Sequence, residues 1–293
     1  MKKQAITVTI VANMTSNYSE GLGNISSVQK VYRNRKVYAT RSRESLKNAI
    51  CVQAGLYEDL QTANDGAMQK LVTEELNAAT CRALEGGYMS TKDLTYIRNS
   101  SFYLTDAISC EPFVNDTRFH NNLYLASNYA KANGLNLQEK AKESGLMPYQ
   151  YEYDKSLKVY SLTIDLERVG VDENFGAEAD NKEKAERVKN LLDAVAHLSL
   201  VVKGNLDNAE PLFIAGGMSE RKTHYFENVV KVQNDKLLIS EDLKDKIAEG
   251  YQTAVVKGGQ FANEDDIVRE LNPVSMKEFF ETLKKEVDTY YQI

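Results

Sequence analysis

Apolar and polar positions alternate along residues 5–12: Ile6, Val8 and Ile10 share one face, Thr7 and Thr9 the other, which predicts a strand. A second strand is predicted over residues 158–166, where Tyr160, Leu162, Ile164 and Leu166 alternate with Val159, Ser161, Thr163 and Asp165. The period changes after Thr40 and Ser42, either of which suits a helix N-cap. Leu46, Ala49, Ile50 and Leu56 follow at helical spacing, predicting a helix over about 42–60. Ala185, Val188, Leu191, Leu192, Val195 and Leu198 mark an amphipathic helix running to about 202. Two more helices are expected over about 240–256 and 275–290, the second carrying Phe279, Phe280, Leu283 and Val287 on one stripe. Short strands are expected near 28–32 and 36–40, and a strand or hairpin over 229–239. The apolar run 211–215 ends in Gly216-Gly217, which reads as a glycine turn. Residues 64–150 are polar and irregular, read as mixed helix and loop with one helical piece near 123–133, and are expected to form an inserted helical subdomain.

This order predicts an α+β fold of the β-α-β-β-α-β, ferredoxin-like kind: an antiparallel sheet with helices on one face and inserted subdomains. The expected organisation is one domain over 1–293. Unrelated RNA-binding modules and enzymes share that architecture, so it leaves function open.

Charge narrows the choice. The chain has 36 Lys+Arg and 42 Asp+Glu. Residues 1–50 nevertheless hold nine basic residues against Glu20 and Glu44, a net +7, leaving −13 on the other 243. Lys30, Arg33, Arg35, Lys36, Arg41, Arg43 and Lys47 are interleaved with Tyr32, Tyr38, Ser26, Ser27, Thr40 and Ser42. Such side chains stack on bases and bond phosphate oxygens, and a helix N-terminus beside Arg41 and Arg43 favours an anion. No apolar run approaches the roughly 20 residues that span a bilayer. The N-terminal segment alternates as a strand does and is not expected to be an export signal. Cys51, Cys81 and Cys110 form no CxxC pair, pointing to a reducing compartment without a disulfide framework or zinc site.

Catalytic signals are sparse. The chain contains no P-loop, G-x-S-x-G or H-E-x-x-H. His197 sits in the amphipathic helix as a buried or boundary residue. His224 follows the glycine pair beside Lys222 and Tyr225, where a general-acid role and a plain RNA-contact loop both fit. Asp116 and His120, four apart, supply two metal ligands if helical, and two ligands without a third are little.

The opening strand, the loop bearing Gly21, Gly23 and Asn24, the basic hairpin and R-S-R-E-S-L-K-N-A-I are followed by VYSLTIDLERVG and IAGGMSERKTHYF. In this order they resemble the repeated backbone subunit of type I CRISPR Cascade complexes, in the DevR-like, type I-B branch of the RAMP superfamily. The resemblance covers residues 1–50, 157–202 and 211–232. It implies a modified RNA-recognition-motif fold and a non-catalytic cytoplasmic protein needing no cofactor. Copies would stack in a helical filament along the guide RNA (crRNA), with other Cascade subunits and no membrane. Target DNA would be met through the guide. A thumb hairpin, at 203–228 or within 84–125, would displace guide nucleotides at intervals. Arg41, Arg43 and Lys47, with Ser42, match the helix start that meets guide phosphates, and Asn24, Ser26 and Lys30 the adjoining loop and hairpin. Gly216 and Gly217 match a turn of close RNA approach, Arg221 and Lys222 phosphate partners, and Phe226 or Tyr225 a stacking residue. The aromatic K/R-G-F/Y-G-F-V signature of ordinary RNA-recognition motifs is absent from both main strands, so contacts from loops and helix ends are expected. The alternative is a metal-dependent RNA endonuclease of the same superfamily, using Asp106 or Asp116.

Overall fold

The computed structural model describes residues 3–18, 25–91 and 94–293. In the N-terminal part, β1 (Ala5–Thr15) is followed by the hairpin β2 (Lys30–Arg33) and β3 (Lys36–Arg41), then α1 (Arg43–Gln53). Two short strands, β4 (Phe102–Leu104) and β5 (Ala107–Ser109), lead to β6 (Thr117–Asn121), α2 (Leu123–Ala132), β7 (Pro148–Glu152) and the long β8 (Lys155–Asp165). Helix α3 (Asn181–Ala196) and the hairpin β9 (Ser199–Val202) and β10 (Asn205–Asn208) precede β11 (Pro211–Ser219). The chain ends in α4 (Glu241–Ala248), β12 (Gln252–Val255), α5 (Glu264–Leu271) and α6 (Met276–Tyr291).

One antiparallel sheet runs β12-β11-β1-β8-β5-β3-β2, with β4 also pairing β8. Its centre, β11-β1-β8-β4/β5 with α1 and α3 as the two crossings, is the expected ferredoxin-like order. The register of β1 on β8 is continuous from Ala5↔Asp165 to Thr15↔Lys155. Side-chain alternation then sends Ile6, Val8, Ile10, Ala12 and Met14 into one core, against Leu46 and Ile50 of α1, Val188 and Leu191 of α3, and Phe279 and Leu283 of α6. The threonines on the reverse face are buried but satisfied. Thr9 Oγ1 lies 2.7 Å from Ser161 Oγ, and Thr7 Oγ1 donates to the Thr223 carbonyl at 2.8 Å.

Several boundaries differ from the expectation. Helix α1 stops at Gln53 because Gly55 takes φ 69°, a helix-ending conformation that favours glycine. Gly250, at φ 100°, likewise separates α4 from β12 within the expected helix 240–256. Helix α5 was not anticipated. It and α4 cover part of the second sheet face with Leu243, Ile267 and Leu271, packed on Val11, Phe213 and Val255, so helices are not confined to one face. The stretch 64–150 is not the expected helical subdomain: its described residues hold one α-helix, several short strands and the core strands β4 and β5, so it divides into two insertions around residues 102–109.

Gly216 and Gly217 do not form a turn. Both lie inside β11, paired with Val8 and Thr7 of β1. A Cβ on Gly216 would stand 2.1 Å from the Thr7 carbonyl oxygen, whereas one on Gly217 would only touch the Tyr251 ring at 3.4 Å. Close strand approach therefore explains Gly216. Gly216→Ala is expected to cost about 3 kcal/mol or more through overpacking, and Gly217→Ala distinctly less. Urea denaturation of the two variants measures the difference.

Candidate nucleic-acid interface

The part of the second sheet face left uncovered by α4 and α5 is the floor of a groove of about 900 Å3. Ile108 and Val159 supply apolar floor, and Ser161 hydroxyl-bearing floor. The basic hairpin and the start of α1 form one wall with Arg33, Lys36 and Arg43, and residues 224–238 form the other, with His224 and Lys231. The β2–β3 turn, Asn34-Arg35, has φ of 47° and 63°. Two-residue hairpin turns of this kind favour Asn-Gly, so an arginine at the second position is held at a conformational cost and presents a cation at the tip. Arg33 and Lys36 are exposed and have no ion-pair partner among the described residues.

Arg43 reaches the same groove. Its backbone N–H donates to Asp106 Oδ1 at 2.8 Å, and its guanidinium, exposed, bonds Glu44 at 2.8 Å. Ser42 is the N-cap, accepting from the Ser45 N–H while its own N–H donates to Asn17 Oδ1. Asp106 thus helps hold the start of α1.

The other sequence-predicted residues are placed differently. Arg41 is buried: its Nε donates to the Thr15 carbonyl at 3.0 Å and Nη1 to Ser45 Oγ at 2.8 Å, and burial lowers its pKa to about 10. Lys47 turns inward and donates to the Gly86 carbonyl at 2.8 Å and Ser100 Oγ at 2.9 Å. These two cations hold the protein together and are not available to phosphate. Burial brings the Lys47 pKa down to about 8. Between that value and the ordinary lysine value the unfolded chain holds the extra proton, so stability should rise with pH through that window. The melting temperature of wild type relative to Lys47→Met, followed from pH 7.5 to 10.5, should show the gain.

Lys30 is ion-paired to Glu152 at 2.5 Å and lies over the Phe113 ring, and Ser26 Oγ accepts from Lys203 at 3.1 Å. Asn24, with Gly21 and Gly23, lies outside the described residues. Arg221 bonds Glu249 at 3.1 Å, and Lys222 bridges Asp165 and Glu167, both at 2.8 Å. Phe226 is fully buried, edge-on to Tyr251, and cannot stack on a base; Tyr225 is partly buried, with its hydroxyl on Glu249. His197 is exposed at the α3 C-cap, contrary to the buried or boundary position expected. His224 Nδ1 meets Thr163 Oγ1 at 2.9 Å, and burial depresses its pKa, favouring the neutral ring. Asp116 and His120 do not share a helix: His120 lies on β6, beside the rings of Tyr149 and Tyr151, which also stack on each other at 6.3 Å. Arg33, Lys36 and Lys231 are the groove residues that the motif-based choice missed. The available signals were the charge of the hairpin and its Asn-Arg turn.

The β-α-β-β-α-β sheet with two insertions and a groove on its second face defines an elaborated ferredoxin-like protein. The chain belongs to the family described as CRISPR-associated negative auto-regulator DevR/Csa2, whose family model matches residues 6–237, in agreement with the resemblance seen in its motifs. Among solved structures it is similar to a chain described as "CRISPR RNA-guided surveillance complex, pre-nicking", with TM-score 0.64 and 10% identity, covering 98% of this chain and 99% of that one. A second, "CRISPR RNA-guided surveillance complex", aligns at TM-score 0.56 and 14% identity over 96% and 99%. At these identities the likeness is one of fold. No curated protein matches the chain.

Proposed function

We propose that this protein is a non-catalytic guide-RNA-binding subunit of a type I-B Cascade surveillance complex, working in the cytoplasm. Copies of it line the crRNA, meet the other Cascade subunits, and leave the guide free to pair with target DNA. The observation that carries the reading is the convergence of Arg33, Lys36 and Arg43 on one groove, in a chain whose net charge is −6. Long-range attraction to RNA is weak for such a protein, so a local cationic wall must supply it. Sequence reading is then left to base pairing while the protein holds the backbone.

Two further features support assembly. The hairpin β9–β10 is inserted between α3 and β11, turns at Lys203-Gly204, and exposes Val201 and Leu206, each 76% accessible. We assign it as the thumb, in place of the wider 203–228 and 84–125 ranges. The second insertion exposes Val114, Phe119, Tyr124 and Leu125, apolar surface suited to contact with a neighbouring subunit.

The test is the nucleic-acid content and mass of the purified protein, from absorbance at 260 and 280 nm with light scattering. Wild type should elute as RNA-bearing multimers that ribonuclease and high salt reduce. A folded R33A/K36A/R43A variant should elute RNA-poor. A wild-type monomer free of RNA that takes up none when guide RNA is added would overturn the reading.

A further inference from the structure

We infer that the second insertion carries a separate base-stacking platform for an unpaired nucleotide of single-stranded RNA, away from the groove. Strands β6 and β7 pair antiparallel, with Arg118 opposite Tyr151 and His120 opposite Tyr149. The two-residue period puts these four side chains on one face of the small sheet. There the rings of His120, Tyr149 and Tyr151 are nearly parallel. His120 lies 5.5 Å from Tyr149 at 17° and 4.9 Å from Tyr151 at 11°. Tyr149 remains 42% exposed. Tyr18 meets Tyr151 edge-on at 6.1 Å.

Cations frame these rings. The Arg118 guanidinium lies 3.6 Å from the Tyr153 ring centre, while Lys203, at the tip of β9–β10, sits over Tyr18 at 4.8 Å and donates to Ser26. Among the described residues Arg118 meets one carboxylate, Asp116, at 3.9 Å, and stays exposed. Flat π-faces beside exposed cations match a base and its phosphate, the combination that single-strand binders use without sequence preference. A docking peptide would leave the two cations unanswered unless it were acidic. The inference rests on the guide-RNA reading for its ligand, but uses residues that do not line the groove.

The experiment compares a uniform-sequence single-stranded RNA with an oligomer of equal length and charge whose bases are absent. Wild type should prefer the RNA by roughly five- to a hundredfold, the range of one stacked base. Tyr149→Ala should remove most of that preference without changing the salt slope, and Tyr149→Phe should retain it, since stacking needs no hydroxyl. R33A/K36A/R43A should weaken both probes alike and keep the preference. Far-ultraviolet circular dichroism confirms folding of each variant. Equal binding of the two probes by wild type, or an unchanged preference in folded Tyr149→Ala, would overturn the platform and leave this face to protein contact. Loss of binding to both probes in wild type would instead overturn the guide-RNA reading itself, and the platform with it.

Discussion

Replacing Arg33, Lys36 and Arg43 together by alanine is expected to flatten the log–log salt dependence of guide-RNA binding by about 2 units. Each phosphate contact to a single strand contributes about 0.7 through counterion release. Between 50 and 200 mM salt, wild type should therefore lose about twenty-fold more affinity than the variant. These side chains line one groove, and none is needed to fill the core. Arg41→Ala and Lys47→Ala supply the contrast. Their side chains are bound to Thr15, Ser45, Gly86 and Ser100, so each should lower stability and leave the slope of the folded protein unchanged. A folded triple variant with the wild-type slope would remove the groove from the account, whatever happens at Arg41 and Lys47. Titrations of labelled RNA at four or more salt concentrations measure it.

A large stability effect is expected at Glu85. Its carboxylate is buried in the first insertion, between Arg187 of α3 at 2.8 Å and Arg98 at 3.3 Å, and it also accepts from the Gly170 N–H at 2.6 Å. Arg187 extends the link by donating to the Ala78 and Ala79 carbonyls. The insertion's own core is small, made of Val72, Ala78, Cys81, Ala83, Leu84 and Tyr88, so this charged junction does much to fasten it to α3. Glu85→Ala leaves the buried Arg98 guanidinium without a carboxylate and Arg187 with Glu183 alone, at 2.8 Å, and should cost about 3 kcal/mol in urea denaturation. In Arg187→Met the same substitution should cost less, because the Glu85–Arg187 ion pair is already gone, with a coupling of about 0.5–3 kcal/mol. Strict additivity would mean that Glu85 and Arg187 do not stabilise each other.

The long strands and helices were legible because their patterns repeat. Eleven residues of β1 and eleven of β8 alternate long enough to declare both faces, and Ser42 announces α1 by its own chemistry. Strands β4 and β5 have three residues each, too few for a period, and so disappeared into an apparent insertion. Gly216-Gly217 looked like a turn because a sequence shows a glycine's freedom but not the neighbouring strand that excludes a Cβ. The same limit governs the charges. Arg41, Arg43 and Lys47 stand in one basic run, yet Arg41 ends β3 and is taken up by Thr15, Lys47 folds back onto Gly86, and Arg43, on the same helix face as Lys47, stays exposed. The groove joins residues 33–43 to residues 224–238, and only tertiary structure makes that pairing visible.

The central claim, that copies of this chain line one guide RNA, is tested most directly by the mass of the complex formed on RNAs of increasing length. Light scattering on purified protein with guide RNAs of 20, 40 and 60 nucleotides should give masses whose protein part, after the RNA's own mass is subtracted, climbs in whole steps of the 33.0 kDa chain, with more copies on each longer RNA. A complex of one chain per RNA at every length, or no complex at all, would contradict it.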